Sequence, residues 1–154
     1  MVVIGWWFLV VGGFRETRMN KSWRNWTVRH AEAVGQLTRA RVELEVRAWR
    51  DVLDEADRRV IGEGDRIGVG GSAVGSAVER ALRRASRFVP GATCIHRAVA
   101  ARRMLKRRGV DARVVIGLRG GDELAGHAWV EIGEGDEAVA LFSDDDTKYQ
   151  RMLL

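Results

Sequence analysis

The hydrophobic pattern of this chain changes period at Gly109. Before it, apolar residues recur at three- and four-residue steps, the spacing that lines one side of a helix. After it, short runs of β-branched and apolar residues are separated by glycine-rich and acidic turns, the pattern of strands. A chain that is helical first and stranded afterwards reaches an α+β arrangement, with helices covering one face of an antiparallel sheet. The first helix is predicted over Thr27–Asp57, with Val34, Leu37, Leu44, Ala48 and Val52 turned inward. A glycine-rich connector, Gly62 to Ser76, follows; it is not a phosphate loop, because no Gly-Lys-Ser/Thr closes it. A second helix starts at Ser72 or Ala73 and runs to Phe88, burying Val74, Ala77, Val78, Ala81, Leu82, Ala85 and Phe88. Pro90 and Gly91 end it.

The third helix is predicted over Thr93–Arg108, with Thr93 or Ala92 near its N-cap and Gly109 as its C-cap. Its buried stripe reads Ile95, Ala98, Val99 and Leu105. Strands are predicted over Ala112–Leu118, His127–Ile132 and Ala138–Phe142, forming a meander with the third helix packed on one face. Residues 1–26 form an apolar, tryptophan-rich extension, and 27–154 a single domain with a helical part (27–88) and a core (89–154). The apolar start, Met1 to Gly13, is too short to cross a bilayer, which takes about 20 residues. No basic residues precede it, so it is a poor signal peptide. Residues 1–18 are read as lying upstream of a natural start at Met19, with a membrane-surface foot or a partner-binding strand as alternatives.

One cysteine in 154 residues excludes an internal disulfide and fits a reducing, cytoplasmic setting. One thiol and three scattered histidines are poor material for a structural zinc site. The net charge is +5 and uneven. From Glu79 to Arg108 ten arginines and lysines face Glu79 alone, whereas Glu131–Asp146 carries only acids. Such a basic stretch can attract nucleic acid or an acidic partner, or can be a solvated helical face. Nucleic-acid binding would call for a helix-turn-helix or an aromatic-and-basic single-strand face, and neither pattern is present.

The chemistry centres on Cys94. The first turn of a helix stabilises a thiolate through free N–H groups and the positive end of the dipole. An imidazole at His127, opening the central strand, can pair with that thiolate if the strand crosses the helix start. A carboxylate from the Ser143–Asp146 run, after the next strand, can then fix the tautomer of the ring. His96 lies two positions from Cys94 and should point away from it, in a structural or solvated role. Trp129 and Glu131 alternate with His127 on one strand face, where Trp129 can wall the site and Glu131 can meet Arg97 or substrate. Trp6, Trp7, Trp23 and Trp26 suggest a docking surface or a small N-terminal core.

The stretch "CIHRAVAARRMLKRRGVDARVVIGLR", then "GHAWVEI" and the closing "DDDTKYQRML", resembles the leader peptidases of lasso-peptide biosynthesis. These are the protease half of the lasso-peptide maturation B protein, in the transglutaminase-like cysteine protease superfamily. The resemblance covers Phe88 to the C-terminus. It implies a transglutaminase-like, papain-like core: a cysteine-bearing helix on a small antiparallel sheet. By position it makes Cys94 the nucleophile and His127 the base and acid. The triad acid falls to Asp144 as the nearest match, then Asp145, then Asp136 in the turn. The implied reaction is hydrolysis of one peptide bond in a ribosomally made precursor, without a cofactor. The implied partners are the precursor peptide, a separate leader-binding protein and an ATP-dependent lasso cyclase, with neither nucleic acid nor stable membrane insertion. A transglutaminase-like acyltransferase, a basic nucleic-acid-binding protein and a non-catalytic scaffold are the competing readings.

Overall fold

The computed structural model describes residues 21–58, 71–119, 125–133, 135, 138–143 and 149–151. Four helices precede four strands: α1 (Lys21–Val46), α2 (Trp49–Arg58), α3 (Gly71–Ala85), α4 (Cys94–Lys106), β1 (Ala112–Arg119), β2 (Ala125–Ile132), β3 (Val139–Leu141) and β4 (Gln150–Arg151). The sheet order is β3-β2-β1-β4, with every pair antiparallel. The meander is therefore as predicted, and a two-residue strand is added along the far edge of β1. The arrangement is α+β, with the cysteine-bearing helix on a small antiparallel sheet.

α4 is the centre of the helical layer. It packs against α1, α2 and α3, and lies on β2 and β1. Its buried side is accordingly wider than the predicted stripe: Ala98, Val99, Ala100, Ala101, Met104 and Leu105 are buried, while Ile95 is half-buried. Three alanines within four residues, Ala98, Ala100 and Ala101, let neighbouring helices approach on several sides. Fully burying a side chain such as Leu105, Met104 or Leu82 contributes about 1.5–3 kcal/mol. Beneath them, Ala112, Val114, Ile116, Ala128, Val130 and Ile132 complete the core from the sheet. Arg113, Val115 and Gly117 of β1, and His127, Trp129 and Glu131 of β2, alternate with that set.

The first helix starts at Lys21 rather than Thr27, and two further differences from the predicted helices change what is buried. The long first helix is two helices, broken at Arg47 and Ala48. At 1.5 Å per residue a straight continuation would carry Val52 and Leu53 about 10 Å beyond the end of α1. Turning the chain lets α2 bury both against α4. The second helix stops at Ala85, and Phe88, expected in its apolar face, is 73% exposed. Turn hydrogen bonds from Ser86, Arg87 and Phe88 back to Leu82, Arg84 and Ala85 tighten the helix end and rotate Phe88 out of phase. At its other end α3 sits close to the sheet through glycines. A Cβ on Gly75 would lie 2.6 Å from Ile132 Cδ1.

Among the described residues no helix is long and apolar enough to cross a membrane. The predicted N-terminal extension lies outside the described residues, apart from the backbone of Lys21–Trp26 in α1.

Candidate active site

α4 begins at Cys94, with Thr93 as its extended N-cap. The N-cap N–H donates to His96 Nδ1 at 2.9 Å, and the Thr93 hydroxyl lies 2.8 Å from the same nitrogen. His96 thus stands at the position that Glu or Gln takes in a capping box. Its role is structural, as the spacing predicts. Burial, and then the charge of Arg41, push the His96 imidazole below its ordinary value, against a smaller opposing effect of Glu45. That shift agrees with a ring nitrogen used as an acceptor. Cys94 is half-buried against the core, one turn before Arg97.

His127 sits near the start of β2, opposite Gly117 of β1. Its ring stacks on Trp129 at 6.0 Å and 19°, and meets Tyr149 at 5.2 Å and 34°. Gly117 makes room for this bracket: a Cβ there would lie 2.7 Å from Tyr149 Cβ and 2.8 Å from the Trp129 ring. His127 Nε2 is 2.9 Å from the Phe142 carbonyl oxygen. A carbonyl can only accept, so Nε2 carries the proton and a neutral ring holds its lone pair on Nδ1. Among the described residues no hydrogen bond joins Cys94 to His127. The two residues are related through their elements, α4 packing on β2.

Phe142 is the unusual residue of the site. Its φ is +65°, the left-handed region that bulky side chains avoid at a cost of about 1–3 kcal/mol. Along a regular strand Leu141 and Phe142 would point to opposite faces, yet both are buried in the same core. The left-handed turn makes that possible. Phe142 N–H donates to Glu79 Oε1 of α3 at 3.2 Å. The same oxygen accepts from Arg83, with Nε at 3.0 Å and Nη2 at 2.9 Å. Arg83 and Arg97 both lie over the Phe142 ring, at 5.6 and 5.7 Å. Arg97 Nε is buried with no hydrogen-bond partner among the described residues.

Glu131 does not meet Arg97. It accepts from Trp129 Nε1 at 3.0 Å and from Arg113 Nε and Nη2 at 3.0 and 2.8 Å, and Arg151 Nη2 reaches it at 2.9 Å. Burial alone would raise this carboxyl. The hydrogen bonds from Trp129 and Arg113, with the charges of Arg151 and Arg113, outweigh burial and hold it below the usual carboxylate range. The cluster fixes the indole that stacks on His127 and ties β4, next to Tyr149, to the sheet.

Asp144, Asp145 and Asp136, the three candidates for the triad acid, lie outside the described residues. What holds His127 here is a backbone carbonyl two residues before Asp144. Glu79, Phe142, Gly117 and Tyr149 were not singled out by sequence. Gly117 carried a readable signal, since a lone glycine within a strand often marks a close approach. Among the described residues no group of histidine, cysteine and carboxylate side chains is placed to hold a metal.

No curated protein and no solved structure matches the chain. The family model described as "Transglutaminase-like superfamily" matches residues 13–153, nearly the whole chain and well beyond the stretch that carries the resemblance in sequence. A thiol at the first turn of the central helix and a histidine on a central strand occur within that match, and the chain belongs to the transglutaminase-like superfamily.

Proposed function

We propose that the chain is a cysteine peptidase that removes the leader from a ribosomally made lasso-peptide precursor. The observation that carries the reading is the His127 ring: its Nε2–H is committed to the Phe142 carbonyl, which leaves Nδ1 as the base. Cys94 is the one thiol of the chain and stands at a helix start on the element packed over β2. Membership of a superfamily that works with Cys-His-Asp catalysis supports the pairing. Contacts of this kind are often long in a free enzyme and tighten on the substrate.

In this mechanism His127 Nδ1 takes the thiol proton, and the Cys94 sulfur attacks the scissile carbonyl. The tetrahedral oxyanion is stabilised by N–H groups at the start of α4. The His127 imidazolium protonates the departing amine of the core peptide, and the C–N bond breaks to leave a thioester of the leader on Cys94. His127 then takes a proton from water, which attacks the thioester. The leader leaves as a carboxylic acid and the thiol is restored. Asp144 is the proposed orienting acid, ahead of Asp145 and Asp136. A leader-binding protein, a lasso cyclase and a cytoplasmic setting belong to the same proposal. The basic surface is less available for docking than the charge count suggests, because Arg103 and Arg108 of the basic run are bound to Glu43 and Glu32 of α1.

The test is mass spectrometry of a full-length lasso precursor incubated with the protein, with and without a leader-binding protein and an added primary amine. Free leader and free core peptide are expected, faster with the binding protein. Leader carrying the amine instead of a carboxylate would make the chain an acyltransferase. No change in the precursor under any condition would overturn the reading.

A further inference from the structure

Glu79 is the only acid between Glu79 and Arg108, on the side of α3 that faces the end of β3. It is linked to His127 by two hydrogen bonds with one residue between them: Glu79 Oε1 accepts the Phe142 N–H, and the Phe142 carbonyl accepts the His127 Nε2–H. We propose that Glu79 is a positioning residue for His127, acting through the backbone of Phe142. The inference rests on the proposed catalytic role of His127.

The argument begins with the backbone. A phenylalanine does not stay at a φ of +65° unless its surroundings hold it there. Three contacts do so: the carboxylate on its N–H, the guanidiniums of Arg83 and Arg97 over its ring, and burial of that ring in the core. Of these only the carboxylate acts on the backbone: it anchors the 141–142 peptide, and the φ and ψ of Phe142 carry that constraint to the carbonyl in the next peptide unit. If Phe142 relaxes toward extended backbone, its carbonyl swings off Nε2 and its ring must leave the core. His127 then loses the acceptor that fixes its tautomer. Arg83 keeps Glu79 in place, giving a chain that runs from Arg83 through Glu79 and Phe142 to His127. A wrong tautomer is costly in a Cys-His or Ser-His site, because the lone pair then faces away from the nucleophile.

The test separates an acceptor from an ion-pair partner. Glu79→Gln keeps an oxygen at the same reach and loses the charge. Glu79→Asp keeps the charge for Arg83 but draws the oxygen back by one methylene. The readout is the His127 side-chain tautomer by ¹⁵N-detected NMR on the full chain, with the melting temperature of each variant alongside. Wild type and Glu79→Gln are expected to show the Nε2–H form, and Glu79→Asp and Glu79→Ala a mixture. Where precursor cleavage is measurable, kcat is expected to fall about tenfold or more in Glu79→Asp and Glu79→Ala, with KM little changed, and to stay within about threefold of wild type in Glu79→Gln. The opposite order, Asp near wild type and Gln impaired, would make Glu79 only the ion-pair partner of Arg83. A wild-type tautomer in Glu79→Asp and Glu79→Ala would overturn the proposal outright. The tautomer readout needs no substrate, so it stands even if the chain cleaves no precursor.

Discussion

At its C-terminal end α4 is tied down by charge. Arg103 bonds Glu43, Arg108 bonds Glu32 at 2.6 Å, and Arg102 Nε reaches the Ala112 carbonyl at 2.9 Å. At its N-terminal end the helix carries a half-buried thiol, a neutral histidine cap and an arginine whose Nε has no hydrogen-bond partner among the described residues. The conspicuous part of the sequence is the basic end, and there the charges mostly hold the helix to its neighbour. The chemical interest lies at the quieter end, where the helix dipole has no carboxylate in its first turn to offset it. A charge count locates basic residues but not their partners. Glu32 and Glu43 sit some sixty or more positions away in sequence.

Breaking the quiet end should have the largest effect on activity. Cys94→Ala is expected to lower precursor cleavage by roughly a thousandfold or more, with a melting temperature close to wild type. Cleavage at the wild-type rate would remove Cys94 from the mechanism.

Breaking the charged end should instead act on stability. The Arg103 and Glu43 side chains are 13% and 16% exposed, so neither is freely solvated. Removing Glu43 leaves the guanidinium without its carboxylate, and Arg103 Nη1 already lacks a partner among the described residues. Glu43→Ala is expected to cost about 1–3 kcal/mol in urea unfolding. Arg103→Met should cost less, because it removes the desolvated charge and leaves Glu43 its bond to Arg39 at 2.6 Å. A larger loss in Arg103→Met than in Glu43→Ala would show that the arginine acts through packing rather than charge.

Protonation gives a smaller effect. Burial, with Arg41, lowers the His96 pKa in the fold, so the native state favours the neutral ring. The resulting stability is complete above the unfolded value of about 6.5 and is lost as pH falls through the lower folded value. Melting temperature should therefore drop as pH falls below about 6.5, and His96→Gln, which keeps an acceptor at N3 without titrating, should flatten that drop. Equal slopes would mean that the cap does not sense protons. Losses at more acid pH belong to Glu32, Glu43 and Glu131. In each, burial opposes ionisation but arginine contacts prevail and lower the pKa, with Trp129 also contributing at Glu131. Smallest of all is Arg107→Ala: the side chain is 56% exposed, 3.5 Å from Glu32, and its loss should change stability by less than about 0.5 kcal/mol.

The elements that were legible in the sequence are those whose cause is local. The capping residue Thr93, the left-handed Gly109 and the β-branched run of β1 each act within a few residues. The break between α1 and α2 was not legible, because it contains neither glycine nor proline. It follows from where α4 lies. β4 is short and polar, and forms because β1 offers it an edge. At the site, Cys94 and His127 announce themselves by residue type and place. Phe142 does not, since nothing about a phenylalanine signals a positive φ. Glu79 looks like one member of an i, i+4 pair with Arg83 until its second contact, 63 positions away, is known.

Gly75 precedes Glu79 by four residues and so lies on the same side of α3. An alanine there would favour the helix by about 1 kcal/mol, but its methyl would meet Ile132 Cδ1 at 2.6 Å and a Leu141 methyl at 3.2 Å. Ile132→Val removes the first of those atoms. The two positions are therefore epistatic: alanine at 75 is unwelcome against isoleucine and tolerable against valine. The consequence reaches past packing. Whatever lifts α3 from the sheet also lifts Glu79 from the Phe142 amide, so the alignment of an imidazole is set in part by the thickness of a residue that has no side chain. Selection for a fuller core and selection for a correctly held histidine would pull on this one position in opposite directions.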